Sequence, residues 1–167
     1  MDERSGAMHS LAVVLAQEVN KFNRLLGVMQ ATTEQIVLAT RGLVVMSDDL
    51  DRMYGALLRN EVPHLWARVG FASLKPLASW MRDLLERVAF VRRWLSKGHP
   101  AAYPLPAFFF PQGFLTGLLQ QHARKYREPI NLLGFACRVL DDDPEERTKV
   151  GAAAVEPERP TDGAIVN

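Results

Sequence analysis

The run Ser10-LAVVLAQEVNKFNRLLGVMQATTEQIVLATR-Gly42 decides the fold class. Ser10 is a good helix N-cap. From Leu15 the apolar or weakly polar positions fall at Leu15, Val19, Phe22, Leu26, Met29, Thr33, Ile36 and Thr40. Steps alternating between four and three keep one face of a helix turned toward a partner. Leu11, Val14, Leu25 and Val37 widen that stripe, and Gly42 after Arg41 is a C-terminal stop. Unbroken, the helix is roughly 45–50 Å long at about 1.5 Å per residue. A domain this small cannot cover that length, so the stripe is expected to serve as core and as partner surface. Gly27 can bend the helix, at a cost of roughly 1 kcal/mol relative to Ala.

Beyond it, Leu43-Val44-Val45-Met46 is too short for periodicity to separate a strand from a buried connector. Ser47 with Asp48 and Asp49 opens a second helix, a hydroxyl cap followed by carboxylates at the positive end of the dipole, closing near Asn60. Val62 to Trp66 reads as a short helical turn with Pro63 in its first turn. A third long helix opens at Ser73, tolerating Pro76 in its first turn. Its stripe is Leu77, Met81, Leu84, Val88, Val91 and Leu95, flanked by Trp80 and Trp94. Lys97-Gly98-His99-Pro100 ends it.

The stretch holding Pro100, Pro104 and Pro106 is expected to be extended. A fourth helix begins at Pro111, presents Phe114, Leu115, Leu118, Leu119 and His122, and stops before Pro129. Ile130 to Leu140 reads as a strand, with Leu133, Phe135, Cys137 and Val139 alternating along one face. The fold expected is therefore mainly α: several long amphipathic helices in an α-helical array, with a short β segment near the C-terminal end. Residues 1–9 are expected to be a flexible N-terminus, 10–140 the helical domain, and 141–167 a mostly disordered tail.

Composition narrows the function classes. Hydrophobic residues make up 48% and charged residues 23%, a globular balance. A net charge of +1 gives no electrostatic reason to expect nucleic acid or an acidic membrane as partner. The single cysteine, Cys137, precludes an internal disulfide and suits a reducing compartment. Met1 to Met8 does not read as a secretory signal, and no run approaches the roughly 18 apolar residues of a membrane helix. A soluble, cytosolic domain living against other protein is the expectation.

Nothing in the sequence reads as catalytic. There is no Gly-x-x-x-x-Gly-Lys-Ser/Thr phosphate loop, no Gly-x-Gly-x-x-Gly, no Gly-x-Ser-x-Gly and no cysteine pair. His9, His64, His99 and His122 never share a helical turn, so no zinc site is expected. His122 reads as a structural or surface histidine and Cys137 as a buried, inert thiol. Asp141-Asp142-Asp143 lacks the alternating ligands of a calcium loop and reads as a solvated acidic turn. Arg92-Arg93 and Arg124-Lys125 read as wet helix faces. No metal or cofactor is expected in this chain.

Five blocks carry a family resemblance. Gln17-Glu18-Val19-Asn20-Lys21-Phe22-Asn23-Arg24-Leu25-Leu26, Gly42-Leu43-Val44-Val45-Met46-Ser47, and Ser73-Leu74-Lys75-Pro76-Leu77 with Trp80 come first. Phe108-Phe109-Phe110-Pro111-Gln112-Gly113-Phe114-Leu115-Thr116-Gly117 and Ala123-Arg124-Lys125 follow. In this order they resemble the C-terminal domain of dynein heavy chains, and the triple phenylalanine block resembles the axonemal branch. The resemblance implies a non-catalytic cap lying on the ring of AAA+ modules of the same heavy chain. It places ATP and Mg elsewhere in the parent, a minus-end-directed microtubule motor. It also implies dynein complex subunits and microtubules as partners through the parent, and a cytoplasmic, cytoskeletal location in the axoneme of a cilium or flagellum. The residues expected to pack on the ring are Leu15, Val19, Phe22, Leu26, Met29, Ile36, Phe108, Phe109, Phe110 and Phe114.

The sequence departs from the family pattern in two places. Tyr103-Pro104-Leu105-Pro106-Ala107 stands where the family has a tryptophan-containing strand and small turn. The family also continues past an Asp-Gly, here Asp162-Gly163, into a β-rich segment, so this sequence is expected to hold the helical first part of the domain. An unpaired sheet edge near Leu133 to Val139 is then expected. The competing expectation is an independent helical adaptor, derived from that domain, that binds a partner through the first helix.

Overall fold

α1 runs without interruption over Ser10–Thr40 in the computed structural model, which describes residues 10–100 and 102–136. It closes as the sequence predicts. Gly42 adopts φ 72°, its N–H donates to Ala39 O at 3.0 Å, and the Leu43 N–H donates to Leu38 O at 3.0 Å. That pair of bonds with a left-handed glycine is a Schellman motif, which satisfies carbonyls the helix end would orphan. Ser10 is itself helical and its buried hydroxyl has no hydrogen-bond partner, so it does not act as the expected cap.

The buried face of α1 is Leu11, Val14, Glu18, Phe22, Leu25, Met29 and Ile36. The expected stripe shares Phe22, Met29 and Ile36 with it, and its widening positions Leu11, Val14 and Leu25 are buried as well, whereas Leu15, Val19 and Leu26 stand one position off the buried face. Leu25 is fully buried (0% exposed) whereas Leu26 is 40% exposed, and Thr33 and Val37 face solvent. Two adjacent leucines satisfy helical spacing equally well, and the neighbouring elements choose between them. Gly27 has open space around it, and the helix runs through it unbroken.

The chain divides into two compact units, Ala16–Ser96 and Met1–Leu15 with Lys97–Asn167. In the first, Leu43–Met46 is neither strand nor buried: Leu43 and Val45 are 69% and 87% exposed. α2 (Asp48–Leu58) opens as expected, Ser47 accepting from the Leu50 N–H at 3.4 Å, with Asp48, Asp49 and Asp51 in the first turn. Asn60, two residues past its end, is a left-handed residue (φ 58°) of a type that tolerates that conformation. Asn60 also receives the start of α4. Its backbone carbonyl accepts from Leu77 N–H at 2.8 Å and its Oδ1 from Ala78 N–H at 3.1 Å.

α3 (His64–Ala67) follows Pro63 and buries Trp66. α4 covers Leu77–Lys97, four residues later than the expected start at Ser73. Ser73 instead closes a local turn, its hydroxyl accepting from the Lys75 N–H at 3.2 Å. α4 buries Trp80, Leu84, Phe90, Val91 and Trp94, so the tryptophans sit within the buried face, while Leu95 is 58% exposed.

In the second unit, the proline stretch is not extended throughout: Leu105–Ala107 forms a 3-10 turn with a proline in its first positions, where no N–H is needed. α5 spans Pro111–Tyr126 and ends on Arg127 in the left-handed region (φ 57°), the Glu128 N–H reaching back to Ala123 O. The expected strand is not formed over its described half. Ile130–Leu132 is a 3-10 turn set up by Pro129, and residues 133–136 are irregular. Leu133 is buried and both Gly134 and Phe135 are half-buried, so the two-sided partition of a strand is missing. Among the described residues there is no strand. Cys137, Val139, residues 1–9 and the tail 141–167 lie outside the described residues.

Candidate packing surfaces

Within residues 16–96 an aromatic column starts on α1. Trp66 Nε1–H donates to Thr32 Oγ1 at 3.0 Å, and the Thr32 hydroxyl donates to Val28 O at 2.6 Å. The Trp66 ring stacks on Trp80 (6.3 Å, 25°), and Trp80 stacks on Phe71 (5.0 Å, 17°). The Arg87 guanidinium carbon lies 3.9 Å from the Phe71 centroid, a cation-π geometry. Burial pulls the Arg87 pKa below its ordinary value, and the carboxylates of Asp83 and Glu18 oppose that pull. Arginine remains a cation at neutral pH regardless. Glu18, 2% exposed on the buried face of α1, therefore has a cation in its field. Glu18 and Thr32 lie roughly 20 Å apart along α1 at about 1.5 Å per residue. The Trp66–Thr32 hydrogen bond thus ties α3 to α1, and the charge of Glu18 on α1 acts on Arg87 of α4.

Gly70 makes the column possible. A Cβ at that position would lie 2.9 Å from Trp66 O, 3.1 Å from Trp80 Cζ2 and 3.7 Å from Leu25 Cδ1. The first of these is backbone and cannot yield. Beside the column, Lys75 Nζ grips both Asp83 oxygens at 2.7 and 2.9 Å, holding the segment that enters α4.

The other unit has its own aromatic cluster. Phe114, 2% exposed, stacks on Phe108 (4.5 Å, 18°) and packs tilted against Tyr103 (4.8 Å, 39°). One turn along, Gly117 packs on the first turns of α1, where a Cβ would lie 3.0 Å from Val14 Cγ2 and 3.6 Å from Ser10 O. His99 Nδ1 lies 2.7 Å from the Tyr103 hydroxyl. Burial pushes the Tyr103 pKa up to about 12, so the phenol keeps its proton across the physiological range.

These clusters separate the residues that the sequence nominates for packing on a partner. Phe22, Met29, Ile36, Phe108 and Phe114 are buried within the chain. Leu15, Val19 and Phe109 are half-buried, and Leu26 and Phe110 are 40% and 50% exposed. Among the described residues no group of three His, Cys, Asp or Glu side chains is placed to hold a metal ion. No described helix is long and apolar enough to cross a membrane. What both clusters offer is fixed geometry and apolar surface.

The family of the C-terminal domain of dynein heavy chains matches residues 2–167. The protein belongs to that family. It is 45% identical to human dynein axonemal heavy chain 6 over 148 residues, 89% of this chain and 4% of that protein. Human dynein axonemal heavy chain 1 is 45% identical over 140 residues, 84% of this chain and 3% of the relative. Mouse dynein axonemal heavy chain 3 is 38% identical over 157 residues, 94% of this chain and 4% of the relative. The sequence thus spans only 3–4% of the length of these relatives.

For this dynein C-terminal domain, sequence reading missed Thr32, Trp66, Phe71, Arg87 and Asn60. Trp66 and Trp80 carried a signal, since a buried tryptophan needs a partner for its N–H. Arg87 carried none, and Asn60 was legible only as a helix end, because its reception of α4 comes from contacts distant in sequence.

Proposed function

We propose that this protein is a structural and regulatory cap of an axonemal dynein heavy chain, packing on the AAA+ ring of the same polypeptide. The observation that carries the reading is the 45% identity to axonemal heavy chains over most of this sequence. In this reading ATP and Mg are bound elsewhere in the parent, and the cap supplies neither nucleotide ligands nor the microtubule contact. Dynein complex subunits and microtubules are partners through the parent, in the cytoskeleton of a cilium or flagellum. Leu15, Val19, Leu26, Phe109 and Phe110 keep surface for the ring, while Phe22, Met29, Ile36, Phe108 and Phe114 hold the elements that present it.

Mass spectrometry of size-separated axonemal protein tests the reading. Peptides of this sequence should run with a polypeptide many times its length that also yields phosphate-loop peptides. Recovery only in a product of about 167 residues would reject the cap and favour a separate helical adaptor. A motor deleted for this region should retain ATP turnover but change its microtubule gliding velocity.

A further inference from the structure

We infer that Ser96 is the acceptor of a phosphoryl group from a basophilic serine kinase; this goes beyond the cap reading and stands without it. The exposed hydroxyl residues among those described are Thr33, Thr40, Ser47, Ser73, Ser96 and Thr116. Only Ser96 has a cation three or four residues before it, and it has one at each distance, Arg93 and Arg92. Both arginines are exposed, and among the described residues neither joins an ion pair. A guanidinium pairs with a carboxylate through two parallel hydrogen bonds. Two solvated arginines ahead of a hydroxyl therefore suit a kinase whose substrate groove carries carboxylates.

The fold presents this hydroxyl where the backbone opens easily. Ser96 is the next-to-last residue of α4, and Gly98 at φ 83° follows the helix end. Helix ends open at far lower free energy than helix interiors. Leu95, Ser96, Lys97 and Gly98 are all exposed, so unwinding from Leu95 onward pulls no buried side chain out of its packing. The Ser96 hydroxyl gives up its bond to Arg93 O, 3.2 Å long. Ser96 Oγ then attacks the γ-phosphorus of ATP held by the kinase. The Oγ–P bond forms as the bond from that phosphorus to ADP breaks, and the hydroxyl proton passes to a carboxylate of the kinase. Once the helix reforms, Arg92 and Arg93 are the helical neighbours of the phosphate, one turn before it. A phosphoserine carries about −1.5 to −2. The charge of Arg92, Arg93 and Lys97 together falls from +3 to about +1 to +1.5, a charge switch at the end of α4.

The test is phosphoryl transfer to the full polypeptide that carries this sequence, with the modified residues mapped by mass spectrometry. The native protein is incubated with ATP and a kinase that selects arginine three residues before serine, or one that selects acidic residues after it. Phosphate on Ser96 from the first kinase alone is expected. The rate should fall at least tenfold in Arg93→Ala, an exposed substitution that leaves the hydroxyl in place, and Ser96→Ala should take up none at this position. No phosphate on Ser96, transfer to it only after heat denaturation, or an unchanged rate in Arg93→Ala would each overturn the assignment. Protein isolated from cells with phosphatases inhibited should carry phosphate on a fraction of Ser96, and its complete absence there would overturn the site as one used in the cell.

Discussion

Trp66 on α3 donates its indole N–H to Thr32 on α1 at 3.0 Å, joining residues 34 apart in sequence. The indole is 6% exposed, so Thr32 satisfies the one polar atom of a buried ring. Thr32 also donates to its own helix at Val28 O, which orients the hydroxyl lone pairs toward Trp66. The same helix carries Glu18, whose charge acts on Arg87 beside Phe71. α1 therefore fixes α3 through a polar bond, and α4 joins α3 through the Trp66–Trp80 stack.

Replacing the acceptor should strand the indole N–H. Thr32→Val, close in shape, should cost about 1–3 kcal/mol, the penalty of a buried unsatisfied donor. Thr32→Ser keeps the oxygen and should cost less. Urea unfolding followed by tryptophan fluorescence measures both, and a Thr32→Val protein as stable as the parent would show that the indole bond contributes nothing net.

Two glycines should respond to alanine with opposite signs. Gly70→Ala drives a methyl against Trp66 O and the Trp80 ring and should destabilise by about 1–3 kcal/mol. Gly27→Ala enters open space in a helix interior and should stabilise by up to about 1 kcal/mol. Thermal unfolding of the two variants decides it. A Gly70→Ala protein as stable as the parent would show that the stack is slack.

The register of α1 makes a sharper test. Leu25 is completely buried and Leu26 is 40% exposed. Leu25→Ala should cost about 2–5 kcal/mol, as should Leu84→Ala at another buried site, whereas Leu26→Ala should cost well under half as much. Reversed magnitudes at Leu25 and Leu26 would restore the face that spacing alone favours.

That pair also shows what could be read from the sequence and what could not. The ends of α1 and α2 were legible because Gly42, Ser47 and Asn60 act locally, through left-handed φ values or side-chain caps. The face of α1 was not, because Leu25 and Leu26 fit a helical stripe equally, and the segment around Gly70, beside which Leu25 lies, is distant in sequence. The tryptophans of α4 looked like flanks because a four-and-three count weighs all apolar residues alike. Trp80 and Trp94 bury more area than Met81 or Leu95, and the helix turns toward them. Alternation suggested a strand after Pro129, but Gly134 breaks the pattern and the proline starts a 3-10 turn. The packing residues were legible as apolar, and which of them remain at the surface required the fold.

Tyr103 gives the pH prediction. Its pKa rises from 10.0 to about 12 because the ring is partly buried against Phe114, with its hydroxyl 2.7 Å from His99 Nδ1. Unfolded, the phenol ionises near 10, while folded it holds its proton to about 12. Between those values the native state binds more protons than the unfolded state, so stability falls as pH rises. The contribution is complete below pH 10 and is lost as pH climbs through about 12. Tyr103→Phe removes the ionisable group while keeping the ring on Phe114. Its melting temperature should therefore drop less than the parent's between pH 9 and about 11. At neutral pH the variant should lose only the His99 bond, an exposed contact worth about 1 kcal/mol or less. Parallel alkaline slopes for the two proteins would mean that the phenol already reaches water in the folded state.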